Sequence, residues 1–197
     1  MYELMYFDGK GRAEAIRMML HIAGADWKDT RFGFKDWPAI KPTTPLGSVP
    51  VLKIGDETYC QSVALMRYTA KLAGFYPEDA LEALKCDQAL DTLNELMSKA
   101  PRSEDKDEMK KLREEFQATH MTKTAAFLES CIEKNGGVGF CKEPSVADVA
   151  LSMVTASIES GTFDYIDAAF FKAYPGIVAT CESIAKNEKI ASYSKKE

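Results

Sequence analysis

The sequence predicts an α/β domain with a mixed sheet followed by an all-α domain. Three observations carry this. Strand-like and helix-like patterns alternate over residues 1–75. A break follows at Phe75-Tyr76-Pro77. Beyond it every apolar run has helical spacing, and no period-two run persists.

Tyr2–Phe7 reads as a strand, and the 12–24 stretch as a helix with Ala13, Ile16, Leu20 and Ala23 on one face and Gly24 as its stop. Trp27–Phe32 reads as a second strand, and 34–40 as a short helical or irregular piece. A third strand is predicted over 49–54, a turn at Gly55-Asp56, and a returning strand over 57–60. Ser62 has the character of an N-cap for a helix running to Gly74. The order βαβαββα gives a sheet with helices on its faces. Residues 76–80 read as a linker and 81–197 as the helical domain. Within it, 78–99 and 104–134 read as long helices joined at Pro101-Arg102-Ser103. Ser145-Val-Ala-Asp148 is a capping box for a helix through Ile158, and 168–173 and 176–186 complete the set.

Bulk properties narrow the function. The chain has 197 residues, enough for two small domains with a sizeable core. A net charge of -5 argues against general nucleic-acid binding. Five cysteines without a C-x-x-C pair read as reduced thiols, which fits a cytoplasmic protein. The opening residues have no basic leader, and no apolar run reaches the length of about 20 that a membrane helix needs. His21 and His120 stand apart from any ligand cluster, so no metal is expected. Gly9-x-Gly11 lacks the rest of a dinucleotide fingerprint, so no nucleotide is expected either.

The strand-to-helix junction at 6–14 is where thioredoxin-like folds keep their reactive group, because a helix start presents unpaired N–H donors and positive partial charge. No cysteine stands there; Tyr6 and Arg12 do. Such a junction supplies no sulfur of its own but could stabilise a sulfur brought by a ligand. A free thiol ionises near ~8.5, and lowering that by about two units takes about 2.7 kcal/mol. One hydrogen bond to a charged group supplies about 1.5–3 kcal/mol, so a single phenol is of the right size.

Four segments of the first domain, Tyr6-Phe-x-x-x-Gly-Arg-Ala-Glu14, Asp36-Trp-Pro-x-Ile-Lys41, Pro45-Leu-Gly-Ser-Val-Pro-Val-Leu52 and Gln61-Ser-Val-Ala-Leu-Met-Arg-Tyr68, stand in one order with one spacing. Together with the Ser145–Asp148 box they resemble the cytosolic glutathione transferases, most closely the sigma class, over nearly the whole chain. The resemblance implies a catalytic pair, Tyr6 and Arg12, and glutathione as the thiol substrate. It assigns the γ-glutamyl end to Gln61 and Ser62, and the cysteinyl backbone to Val49 beside a cis Pro50. It assigns the glycyl carboxylate to Trp37 and Lys41. Ser48 falls where relatives often carry Lys or Gln toward that end. Glu95, from a neighbouring subunit, would meet the γ-glutamyl amine in a homodimer. Gly9 and Arg102 depart from bulkier or aromatic relatives near the second substrate. Met97, Met153 and Phe163 are candidates for lining its pocket. The implied activity is conjugation of glutathione to small apolar electrophiles, a detoxification reaction. A glutathione-dependent isomerase or peroxidase, a non-catalytic ligand binder and a crystallin-like structural protein are the alternatives on the same scaffold. The short connection at 101–103 favours an enzyme over a crystallin with an insertion there.

Overall fold

A computed structural model describes residues 1–194. By internal contacts the chain forms two units, Met1–Tyr76 with the closing segment from Glu188, and Pro77–Asn187.

In the first unit, β1 (Tyr2–Phe7), β2 (Trp27–Phe32), β3 (Val51–Ile54) and β4 (Glu57–Cys60) make one sheet in the order β2-β1-β3-β4. β1 pairs parallel with β2 and antiparallel with β3, and β3 pairs antiparallel with β4. The strand β3 starts at Val51 rather than at the expected residue 49, because Pro50 has no N–H to give to a ladder. The chain enters its first helix through a 3-10 turn at Gly11–Ala13, and α1 proper is Glu14–Ile22. A short α2 (Trp37–Ile40) follows β2, and α3 (Ser62–Ala73) follows β4. Leu4 and Leu52 from the sheet, Ala13, Ile16 and Leu20 near or on α1, and Leu65 on α3 form the core. Strand parity sends Tyr2 and Tyr6 to the same face as Leu4, and both pack against this core.

Two local expectations for this unit are corrected. The N-cap of α3 is Gln61, not Ser62, and Gln61 sits at a φ of 75°. The stretch Glu14–Leu20 is buried on all sides rather than along one stripe. Its further cover is α9 (Glu188–Ser194), which packs on α1 and which sequence reading leaves unassigned. The expected second domain ran from 81 to 197, but its closing helix groups with the first unit.

The second unit is helical throughout its regular structure among the described residues: α4 (Ala80–Lys99), α5 (Lys106–Phe116), α6 (Thr122–Lys134), α7 (Val146–Glu159) and α8 (Pro175–Lys186). The expected helix over 104–134 is α5 and α6 joined by a π turn at Gln117–Met121. The predicted capping box is present: Asp148 Oδ2 accepts the Ser145 N–H at 2.7 Å, and Asp148 Oδ1 accepts from Phe140 N at 2.9 Å. Burial raises the Asp148 carboxyl above its ordinary range, against these hydrogen bonds that favour its ionised form. All five cysteines are free thiols, with Cys86 and Cys141 buried.

Glu82 on α4 ties down the loop before α7. Its carboxylate accepts from Lys85 Nζ at 2.7 Å and from Lys142 N at 2.8 Å. These two donors hold its carboxyl below the ordinary glutamate value of 4.5. The folded state therefore binds this proton less readily than the unfolded chain does. The tether's contribution is complete above that value and is lost as pH falls through the lower, folded one. In thermal unfolding at stepped pH, the wild type is expected to lose stability below pH 4.5 more steeply than Glu82→Gln over the same interval.

Candidate active site

The sheet register brings Tyr6, Val49, Pro50, Gln61 and Ser62 to one end of the first unit. Met5 pairs with Val51, and Val51 with Cys60. Tyr6 follows Met5, Pro50 precedes Val51 and Gln61 follows Cys60, so the three stand at the same end of the sheet. Phe7 pairs with Phe32 on the other side, and Trp37 stacks on Phe32 with centroids 6.0 Å apart. Along this edge lie Trp37, Tyr6, Val49-Pro50 and Gln61-Ser62, contributed by segments that are distant in sequence.

Tyr6 is half-buried, and its Oη accepts the backbone N–H of Arg12 at 3.2 Å. The first open amide of the helix start is thereby spent on the phenol oxygen. A phenol that accepts in this way still has one O–H to donate. Gly11 makes this contact possible. Its φ is +42°, and a Cβ there would lie 2.6 Å from the Tyr6 oxygen. Gly11 stands in the sequence as one position of the motif; its function is the close approach of backbone to phenol. The Arg12 side chain is exposed.

The Val49–Pro50 peptide is cis, as the resemblance implies. Val49 is half-buried and Pro50 buried, while Ser48 and Lys41 are exposed. The Lys41 stem passes over Gly47, where a Cβ would meet its Cε at 3.3 Å. Trp37 is half-buried, edge-on to Phe7 at 5.4 Å.

Gln61 holds a backbone conformation that costs a non-glycine residue about 1–3 kcal/mol. Such strain persists where surrounding structure enforces it, commonly at ligand sites. No side chain caps α3, so its first amides remain available to an anion. Ser62, buried, is the helix's first residue. Glu95 belongs to the second unit, where Lys99 on the same helix pairs with its carboxylate and holds its carboxyl below the ordinary range. In that unit, Met97 and Phe163 line a small apolar cavity together with Arg113 and Ile158; Met153 does not.

Arg17 is a residue to which the sequence assigns no role. Arg17 has 0% exposure and donates to the carbonyls of Gly9 and Lys10. Its signal was a lone cation inside the apolar run Ala15-Ile-Arg-Met-Met-Leu20.

No group of three or more His, Cys, Asp or Glu able to hold a metal exists among the described residues, and no helix among them is long and apolar enough to cross a membrane.

Gly11→Ala is expected to destabilise the fold by about 1–2 kcal/mol, the cost of forcing a Cβ into left-handed backbone, and to displace the phenol. Gly9, whose Cβ would meet nothing within 4 Å, provides the matched control. Thermal unfolding and the tyrosine ring resonances of the two variants check this; Gly9→Ala should leave both near wild type.

Comparison with known proteins identifies both halves. The pattern described as "Glutathione S-transferase, N-terminal domain" matches residues 2–71, and "Glutathione S-transferase, C-terminal domain" matches residues 90–197. S-crystallin SL11 of Nototodarus sloanii is 34% identical over 99% of this chain and 96% of its own. Glutathione S-transferase 1 of Ascaris suum is 30% identical over 84% of each chain. Among solved structures, prostaglandin synthase D of Nilaparvata lugens superposes with a TM-score of 0.88 at 30% identity, over 100% of this chain and 98% of that one. With a thioredoxin-like first unit, a helical second one and matches along both, the chain belongs to the glutathione S-transferase family.

Proposed function

We propose that the protein is a sigma-type glutathione transferase that adds the glutathione thiolate to small apolar electrophiles. The observation that carries this reading is the phenol of Tyr6, whose oxygen accepts the Arg12 N–H at 3.2 Å. A hydroxyl whose oxygen already accepts a hydrogen bond is a stronger donor, because hydrogen bonds in a chain polarise one another. Directed at a bound sulfur, it favours thiolate over thiol and lowers the thiol's ionisation toward neutral pH. Arg12 and the helix start add positive field around the same point.

The remaining residues orient the peptide. The uncapped start of α3, with Gln61 and Ser62, suits the γ-glutamyl carboxylate. The backbone of Val49 would pair with the cysteinyl unit in the manner of an added strand. Trp37, Lys41 and Ser48 would take the glycyl end, Lys41 as a point charge. In a homodimer, Glu95 of one protomer would meet the γ-glutamyl amine held by its partner. The sulfur then attacks the electrophilic carbon, the new C–S bond forms, and the leaving group or the developing anion departs or is protonated. Binding both reactants in one geometry supplies the rest of the acceleration. A cytoplasmic place and a role in detoxification accompany this reading.

A second reading rests on the close similarity to an S-crystallin along nearly the full chain. A structural protein on this scaffold would retain the fold without turnover, and an isomerase would use the same thiolate without consuming it. Retention on immobilised glutathione, followed by assays with an activated aryl halide, an enal, a hydroperoxide and an endoperoxide, separates the three. Tyr6→Phe is expected to lower kcat about tenfold to a hundredfold, the worth of one hydrogen bond to a charged group, with glutathione retention unchanged. An unchanged kcat would remove the phenol from the mechanism.

A further inference from the structure

The buried guanidinium of Arg17 is the centre of a chain of contacts that runs from the last described helix to the loop beneath Tyr6. Its Nη1 donates to Gly9 O at 2.8 Å, to Lys10 O at 3.3 Å and to Glu14 Oε2 at 3.0 Å. Its Nε lies 3.1 Å from both oxygens of Asp29. The guanidinium carbon stands 5.8 Å from the centre of the Tyr6 ring. Glu14 is held from its other side: Tyr193 on α9 donates its hydroxyl to Glu14 Oε1 at 3.0 Å, in a buried position. Asp29 is held in turn by Arg31 Nε at 2.7 Å, and Arg31 Nη1 reaches Asp8 at 3.6 Å. His21 packs its ring against Tyr193.

A charge buried this completely depends on the partners it has, here on Nε and Nη1 while Nη2 has no hydrogen-bond partner, and those partners are fixed by it in return. The two loop carbonyls it holds belong to Gly9 and Lys10. The next peptides are those of Gly11, whose missing Cβ admits the phenol, and Arg12, whose N–H the phenol accepts. Displacing the clamp therefore displaces the amide that polarises Tyr6.

We propose that Arg17 is a positioning residue for the phenol of Tyr6, and that Tyr193 locks it from the closing helix through Glu14. The inference rests on the reading of Tyr6 as the donor to a glutathione thiolate. It makes α9 part of the tyrosine site rather than a covering tail. Arg17 holds the loop; it does not itself touch the sulfur.

Arg17→Met would leave Glu14 and Asp29 without their buried cation and is expected to unfold readily. Tyr193→Phe is the sharper test, since it removes one oxygen and keeps the ring in place. In the full-length chain, three quantities decide: kcat with an activated aryl halide, KM for glutathione, and the pH titration of the bound thiol followed by thiolate absorbance. The expected result is a fall in kcat of about fivefold, the scale of one lost hydrogen bond, with a higher apparent thiol pKa and an unchanged KM. On a Tyr6→Phe background the same substitution should add nothing, because its effect passes through the phenol. A variant that melts earlier while its kcat and thiol titration match wild type has lost only a structural contact, and overturns the inference alone. Full additivity of the two substitutions in kcat does the same. A wild type whose bound glutathione titrates as it does free in solution overturns the underlying reading, and this inference with it.

Discussion

One hydrogen bond, from the amide of Arg12 to the phenol of Tyr6, sets conditions that the rest of the first unit must meet. The strand must end where the helix begins, so that residues six apart in sequence can touch. The turn between them must carry a glycine, because any side chain at position 11 would occupy the phenol's place. The helix must start uncapped, because a capping side chain would take the amide that the phenol needs. The 3-10 turn before α1 follows from these conditions: its tighter winding brings the Arg12 N–H under the ring before the regular helix starts.

The interior of the unit bears the cost. The helix α1 buries Glu14 and Arg17 among Ile16, Met19 and Leu20. A buried ion pair is a weak source of stability, since desolvation offsets most of its attraction. What this pair provides is fixed geometry. Arg17 joins two loop carbonyls to two carboxylates, and each carboxylate is held in turn by a second donor, Tyr193 or Arg31. An aliphatic side chain at position 17 could fill the space, but it could not hold the carbonyls of Gly9 and Lys10.

Much of this was legible in the sequence, and the exceptions have physical causes. Three of the four strands, β1, β2 and β4, fall on their predicted residues because their apolar runs are bounded by clear turn signals. The Ser145–Asp148 box was readable because capping is a local side-chain contact. The start of β3 moved because Pro50 withholds a donor, and the cap of α3 moved because a strained backbone at Gln61, invisible in residue type, takes the place of a capping hydroxyl at Ser62. The π turn at 117–121 hides inside a helical pattern that its extra residue barely disturbs. Arg17 was missed for a general reason: a cation in a helix reads as a solvent position until tertiary structure supplies its partners. Helix α9 was missed because its charged, short sequence has weak periodicity, while its anchor, Tyr193, acts across 179 residues. Gly11 is the opposite case, a residue visible in the motif whose reason is a tertiary contact with the phenol.

The treatment of helix starts separates the two units. In the second, carboxylates close four of the five: Asp79 caps α4, Asp105 caps α5, Asp148 completes the box of α7, and Glu129 accepts the Gly176 and Ile177 amides at the start of α8, while α6 continues from the π turn without a side-chain cap. In the first unit, α1 and α3 begin without a side-chain cap. Leaving such amides open forgoes about 1 kcal/mol per helix, and at Gln61 the chain adds backbone strain to that loss. Both open starts border the end of the sheet where Tyr6, Pro50 and Gln61 align. A phenol occupies the first, and under the proposed function a ligand carboxylate occupies the second, as Asp79 does for α4. The anion that the fold withholds from its own sequence at α3 is then the one that glutathione brings, and binding recovers stability that folding left unused.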